Sequence, residues 1–195
     1  VNALSEKLSV EIARDKKLYR QEYSRGYPMG PLELVGNAPN RRGTSVTFKP
    51  DPEIFGANSC LLPNKIYRMA RSKAFLFKGI HINWRCAPEV LCEGDVTPQE
   101  AELCFPNGLL DFLNYQVGAR TTINRKPFSG DANLANDEGK VEWAITWPED
   151  ENGFCHSYCN TVVTPQGGTH ELGFKAALIR GLKEYGEMAN IKKAA

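Results

Sequence analysis

Cys159-Asn160-Thr161-Val162-Val163-Thr164-Pro165-Gln166-Gly167-Gly168-Thr169-His170-Glu171 carries a β-branched run into a Gly-Gly turn and then opens a helix. The helix shows in the residues that follow. Phe174, Leu178, Leu182, Tyr185 and Ala189 recur at helical spacing up to about Asn190 and form one apolar stripe. Arg180, Lys183 and Glu187 fall on the opposite side. Thr169 is a suitable N-cap, and Glu171 complements the positive end of the helix dipole. Two readings of this corner stand side by side: a tight strand-to-helix connection, or a helix N-terminus open to an anion.

Working back from the corner, strands are expected at 140–147 and 154–162, with a polar insertion, Ser129 to Gly139, ahead of them. Asn107 is placed to cap a helix running to Tyr115, and Leu103 and Phe105 sit in a short strand. Ile80, Ile82 and Trp84 alternate as another strand, with His81 among them. Residues 63–77 begin with a proline in the first turn and bear Ile66, Met69, Ala70 and Phe77, which suits a helix. Pro50-Asp51-Pro52 breaks the pattern and marks a domain boundary. Before it, Leu8, Val10 and Ile12 alternate with polar residues, as do Tyr19, Gln21 and Tyr23 after the Asp15-Lys16-Lys17 turn. That is a hairpin. Gly26 to Gly43 holds three prolines and four glycines and reads as a loop. Thr44 to Lys49 is a third strand with Thr44, Val46 and Phe48 on one face. Hairpins mixed with long helices indicate an α+β fold.

A length of 195 residues fits one large domain or two smaller ones. The chain is 42% hydrophobic and 24% charged, ordinary for a soluble globular protein. Its formal net charge of +1 excludes a global field for nucleic acid or membrane, so any DNA contact has to come from local patches. No apolar run approaches the ~20 residues of a membrane span. The six cysteines, at 60, 86, 92, 104, 155 and 159, include no C-x-x-C pair and read as reduced thiols. The chain opens on Val1 rather than Met, so an internal piece of a longer protein is expected.

A complete catalytic engine is not expected. No phosphate-binding G-x-x-x-x-G-K-[ST], no dinucleotide-binding G-x-G-x-x-G after a strand and no H-E-x-x-H occurs. No metal site is expected either. His156 pairs poorly with Cys155 or Cys159 as a nucleophile, because residues one or three apart on a strand face opposite ways.

Asn160-Thr161, Gly167-Gly168-Thr169-His170 and Gly173-Phe174-Lys175 together resemble the segment that marks the B subunits of bacterial type II DNA topoisomerases. Other parts of the chain agree. Val1 to Ser5 resembles the helix after that family's glycine-rich ATP lid, and Arg14 with Tyr19-Arg20-Gln21 resembles its following hairpin. Gly43-Thr44-Ser45-Val46-Thr47-Phe48-Lys49-Pro50-Asp51 resembles the strand that closes its ATPase domain. The stretch 85–140 agrees least. Ser157 to Thr161 and the 129–139 insertion are more similar to the topoisomerase IV branch than to the gyrase branch.

The resemblance implies the end of a Bergerat-type ATPase sheet over 1–49 and a ribosomal protein S5-like transducer over 50–195, stopping short of the transducer's end. It implies that Arg14, Thr44 and Val46 belong to the ATP and inhibitor pocket: Thr44 beside the adenine, Val46 on the pocket wall, Arg14 at a rim contacted by aminocoumarins. It implies that Arg180 and Lys183 face the cavity holding the transported DNA. ATP and Mg²⁺ serve the full-length protein, with neither bound by the piece. The general base, the Mg²⁺ ligand, the adenine-binding aspartate and the lid are expected before Val1. The γ-phosphate lysine is expected after Ala195, so no catalytic residue lies in this stretch and the piece is inactive alone. The implied partners are the A subunit, in a heterotetramer, and double-stranded DNA. The implied location is the bacterial cytoplasm, without membrane attachment, and the piece alone is expected to be a monomer. Two alternatives remain at this point: the gyrase branch, or a non-enzymatic S5-like binding module.

Overall fold

The computed structural model describes residues 1–91, 94–135, 139–150 and 152–191. The chain forms two compact units, Val1–Leu62 and Pro63–Ala195.

The first unit is an antiparallel sheet. Strands β1 (Ser5–Arg14) and β2 (Lys17–Ser24) form the hairpin expected from their alternation, with Leu8 opposite Tyr23 and Ile12 opposite Tyr19. Asp15 and Lys16 make its two-residue turn, both at positive φ (52° and 61°), the twist that joins adjacent strands without splaying them. Strand β5 (Gly43–Pro50) pairs with the other edge of β1. The glycine- and proline-rich stretch read as a loop contains two strands, β3 (Tyr27–Pro28) and β4 (Glu33–Asn37), both paired with β2. Backbone pairing at an open edge tolerates residues that a central strand would reject.

Leu8 and Ala13 are the buried apolar residues of this sheet. Its end is tied by polar groups. The Arg25 guanidinium lies 2.8 Å from buried Asp51 and 2.6 Å from Glu53. Asp51 also accepts from the Glu53 amide (3.0 Å), capping the one-turn helix α1 (Pro52–Phe55). The Pro50-Asp51-Pro52 break is therefore a capped corner that stays with the sheet.

The second unit opens with helix α2 (Pro63–Leu76). Its buried face carries Ala74 and Phe75, whereas Met69 and Phe77, expected on the apolar face, are exposed. A hairpin of β6 (Ile82–Arg85) and β7 (Glu100–Leu103) turns Ile82, Trp84 and Leu103 inward, and the Trp84 indole donates to the Pro98 carbonyl at 2.8 Å. Helix α3 (Leu109–Val117) follows, but Asn107 does not cap it. Gly108 is the capping residue, and the Asp111 carboxylate reaches back to accept from the Asn107 amide (2.9 Å) and side chain (3.0 Å). An acceptor inside the first turn thus replaces one before it.

Phe75 is the centre of the core. It stacks on Phe105 with centroids 3.7 Å apart and lies 5.2 Å from the Phe112 ring. Leu103 and Leu113 are buried as well.

The polar segment read as an insertion is in part a strand. β8 (Phe128–Asn133) pairs along its length with β9 (Lys140–Ile145). β8 is mostly exposed, which explains its polar composition. Asn136 to Glu138, part of that reading, lie outside the described residues, as does Cys92. Gly130 leaves room for the Trp143 ring opposite it, which packs on Phe128 and on Phe174.

The strand expected over 154–162 shrinks to β10 (Tyr158–Cys159), paired with β11 (Val162–Val163). Asn160 and Thr161 turn between them at positive φ, 46° and 65°. A β-branched residue strains there. The Lys73 ammonium steadies it, donating to the Thr161 carbonyl (2.7 Å) and hydroxyl (2.9 Å). The last helix, α4, spans Thr169–Met188.

Candidate functional site

Cross-strand partners in an antiparallel sheet share a face. Val10 lies opposite Val46 and Ile12 opposite Thr44, and Arg14 is two residues beyond Ile12. The register therefore puts Arg14, Thr44 and Val46 on one face of the first unit. That face is apolar and open: Val46 is 52% exposed, Phe48 44% and Ile12 37%. Arg14 sits at its end, with a solvent-exposed contact to Asp15 at 3.5 Å. The ion pairs of Glu11 lie on the other face. Glu11 is held there by Arg20 at 2.6 Å and Arg41 at 3.2 Å, and the Arg20 hydrogen bond lowers its carboxyl below the ordinary value. An open apolar face with a hydroxyl in its middle and a guanidinium at its rim suits a flat heteroaromatic ring attached to an anionic group.

Arg180 and Lys183 are exposed on α4, and among the described residues neither forms an ion pair. The apolar stripe of this helix is only half used. Phe174 and Leu178 are partly covered, while Leu182 and Tyr185 stand 51% and 62% exposed.

The start of α4 corrects two expectations. Gly168, not Thr169, is the capping residue. The helix end is also already filled by an anion of the chain's own. Glu171 accepts from Lys175 at 2.5 Å and from the Ser157 hydroxyl at 2.7 Å, beside a cleft of about 300 Å³ lined by Cys155, His156, Thr164 and Gly167. Those two hydrogen bonds, Lys175's first, hold its carboxyl at about 2, against an ordinary 4.5. An incoming phosphate would meet this charge, so the tight-corner reading prevails over the anion-receptive one.

Glu171 has its pKa depressed by folding, so its stabilising contribution is complete above about 4.5 and is lost as pH falls toward about 2. The wild-type chain is expected to melt above Glu171→Gln at neutral pH, and the gap should close between pH 4.5 and about 2. A gap that is constant across that range would contradict this assignment.

Cys155 and His156 do not form a nucleophilic pair. Burial pushes the Cys155 thiol up, and the His156 ring packs against Phe112 and Phe154, each centroid 5.6 Å away. Among the described residues no group of three or more His, Cys, Asp or Glu is arranged to hold a metal ion, and no helix is long and apolar enough to cross a membrane.

Comparison with known proteins places the chain. The DNA gyrase B family profile matches residues 108–195. The B subunit of DNA topoisomerase 4 from Caulobacter vibrioides is 50% identical over 99% of the chain, and that from Bartonella bacilliformis is 46% identical over all of it. The chain spans 28% of the length of each. The crystal structure of the 43K ATPase domain of Thermus thermophilus gyrase B, in complex with an aminocoumarin, superposes with a TM-score of 0.81 at 33% identity. It aligns with 98% of this chain and 50% of that one. The α+β fold is thus that of the ATPase region of these proteins, and along its whole length the chain is similar to type II topoisomerase B subunits, with higher identity to those of DNA topoisomerase 4 than to gyrase B.

Proposed function

We propose that this chain is the stretch of a topoisomerase IV B subunit that joins its ATP site to its DNA-handling parts. The intact protein would use ATP binding and hydrolysis, together with its A-subunit partner, to pass one DNA duplex through another in the bacterial cytoplasm. The observation that carries this reading is identity of 46–50% with two topoisomerase IV B subunits over essentially the whole chain, against 33% with a gyrase B.

In this proposal residues 1–49 end the ATPase sheet and residues 50–195 form most of the S5-like transducer. The functional boundary at Pro50 follows the end of β5, whereas the compact units divide after Leu62 because Arg25 holds Asp51 and Glu53 to the sheet. The open face of β1 and β5 receives the adenine side of the nucleotide. The Thr44 hydroxyl completes its hydrogen bonding, Val46 packs on the ring and Arg14 guards the rim. Bound ATP with Mg²⁺ supplies the energy of phosphoryl transfer, and this chain's own residues bind and orient. The general base would come from elsewhere in the protein, so the chain alone should not hydrolyse ATP. Arg180 and Lys183 would face the transported duplex.

The test uses the full-length protein reconstituted with its A-subunit partner, and linked DNA circles as substrate. Thr44→Ala removes one hydrogen bond worth about 1–1.5 kcal/mol and should raise the KM for ATP roughly tenfold with little change in kcat. Arg180→Ala should reduce the salt slope of DNA binding by roughly 0.9 if it neutralises one phosphate. An ATP KM that Thr44→Ala leaves untouched would remove Thr44 from the pocket. Absence of ATP-dependent decatenation by the wild type would remove the reading itself.

A further inference from the structure

His81 and Cys104 lie one residue outside the β6–β7 pairing, directly across from each other. They share a face with Asn83 and Glu102, away from the buried Leu103 side. The Cys104 sulfur is 3.4 Å from His81 Nε2, and His81 Nδ1 is 3.3 Å from Glu102 Oε1. The three side chains form a line: thiol, imidazole, carboxylate. His81 and Glu102 are 63% and 68% exposed, so a reagent reaches this line from solvent. The family motifs lie elsewhere and make no use of it.

We propose that Cys104 is a site of covalent thiol modification, taking a low-molecular-mass disulfide by thiol–disulfide exchange. The thiol donates its proton to His81 Nε2, and the Nδ1–H of the resulting imidazolium donates to Glu102. The thiolate is the nucleophile in such exchange. It attacks one sulfur of the disulfide, a new Cys104 S–S bond forms and the reagent's S–S bond breaks. The released thiolate takes the proton back from His81. One disulfide is consumed, one mixed disulfide and one small thiol are made, and no outside oxidant is needed.

The line lacks what hydrolysis requires. His81, which contacts the sulfur, and Glu102, which contacts His81, are both solvent-exposed, and neither of the two clefts lined by residues 155–171 and 1–61 includes them. Modification is therefore the chemistry that fits. The other charged groups on this face are Arg85 and Glu100, paired with each other at 3.7 Å, while α2 packs on the opposite face. Cys60 is exposed and serves as the internal reference; Cys155 is exposed too, but desolvation and the neighbouring Glu171 push its thiol up.

The test treats the 195-residue chain with limiting glutathione disulfide and locates the adduct by tandem mass spectrometry. Cys104 should be labelled first, roughly tenfold faster than Cys60 near pH 6.5, where an unassisted thiol is almost fully protonated. His81→Gln should cut Cys104 labelling roughly tenfold and leave Cys60 unchanged, and Glu102→Gln should give a smaller loss in the same direction. Because both substituted side chains are exposed, a folding defect would show as a simultaneous rise in labelling at the other cysteines. Equal rates at Cys104 and Cys60, or a His81→Gln chain that labels like wild type, would overturn the proposal.

Discussion

Phe75→Ala is expected to destabilise the chain by about 3–5 kcal/mol, the largest effect of any single truncation here. Phe75 is 3% exposed and holds the Phe105, Phe112 and Tyr115 rings around it, at 3.7, 5.2 and 6.2 Å. Truncation removes the buried area of an aromatic side chain and its preferred ring contacts together. The cavity cannot close easily, because its walls come from three places: α2, α3 and the segment just after the β6–β7 hairpin. The midpoint of thermal unfolding should drop by on the order of 10 °C. Phe75→Leu, which refills most of the space, should recover more than half of the loss. A Phe75→Ala chain that melts within about 2 °C of wild type would show that this cluster is not the core.

Gly108→Ala should follow, at about 2–3 kcal/mol. Gly108 precedes α3 at φ 60° and ψ −118°, a conformation that side chains other than glycine rarely adopt. An added Cβ would also stand 2.7 Å from Lys78 Cγ and 3.2 Å from the Phe75 carbonyl oxygen. Lys78 has some freedom to swing aside, at the expense of its 2.6 Å ion pair with Glu142, but the α2 backbone has none. Gly118, at the other end of the same helix, supplies the control. It has nearly the same backbone, φ 58° and ψ −127°, with nothing within 4 Å of the added carbon. Gly118→Ala should therefore cost the backbone strain alone, about 1–2 kcal/mol. Urea titration of the two variants separates strain from collision. If Gly108→Ala costs no more than Gly118→Ala, the collision plays no part.

Elements with a strong local period were readable without the structure. The β1–β2 hairpin, β5, the three longer helices and the shared face of Thr44 and Val46 followed from alternation and spacing, whereas the one-turn α1 did not. Elements whose residues serve the backbone rather than the core were not. β3 and β4 sit at an open edge, where glycine and proline are tolerated, and β8 is polar because it is mostly exposed. Both capping residues slipped by one position to a glycine with no side-chain cap: at α3 the Asp111 carboxylate inside the first turn takes the polar role expected of Asn107, and at α4 Gly168 stands ahead of Thr169. The Phe75 cluster was missed for a different reason. Met69 and Phe77 have the same apolar character as Phe75, and only the packing of α3 decides which face is covered. The pocket role proposed for Arg14, Thr44 and Val46 comes from the family resemblance alone, since a strand threonine, a strand valine and a hairpin arginine carry no chemical signature. The His81–Cys104 contact needed the hairpin register, which no spacing in the chain reveals.

Lys73 and Thr161 are 88 residues apart in the chain, yet one ammonium group keeps Thr161 in a left-handed conformation. The turn's shape is thus borrowed from a distant helix rather than owned by its own four residues. An event that shifts α2 by an ångström or two would break the Lys73 contacts and loosen the corner, so the amides of Val162 and Val163 should report on the position of that helix.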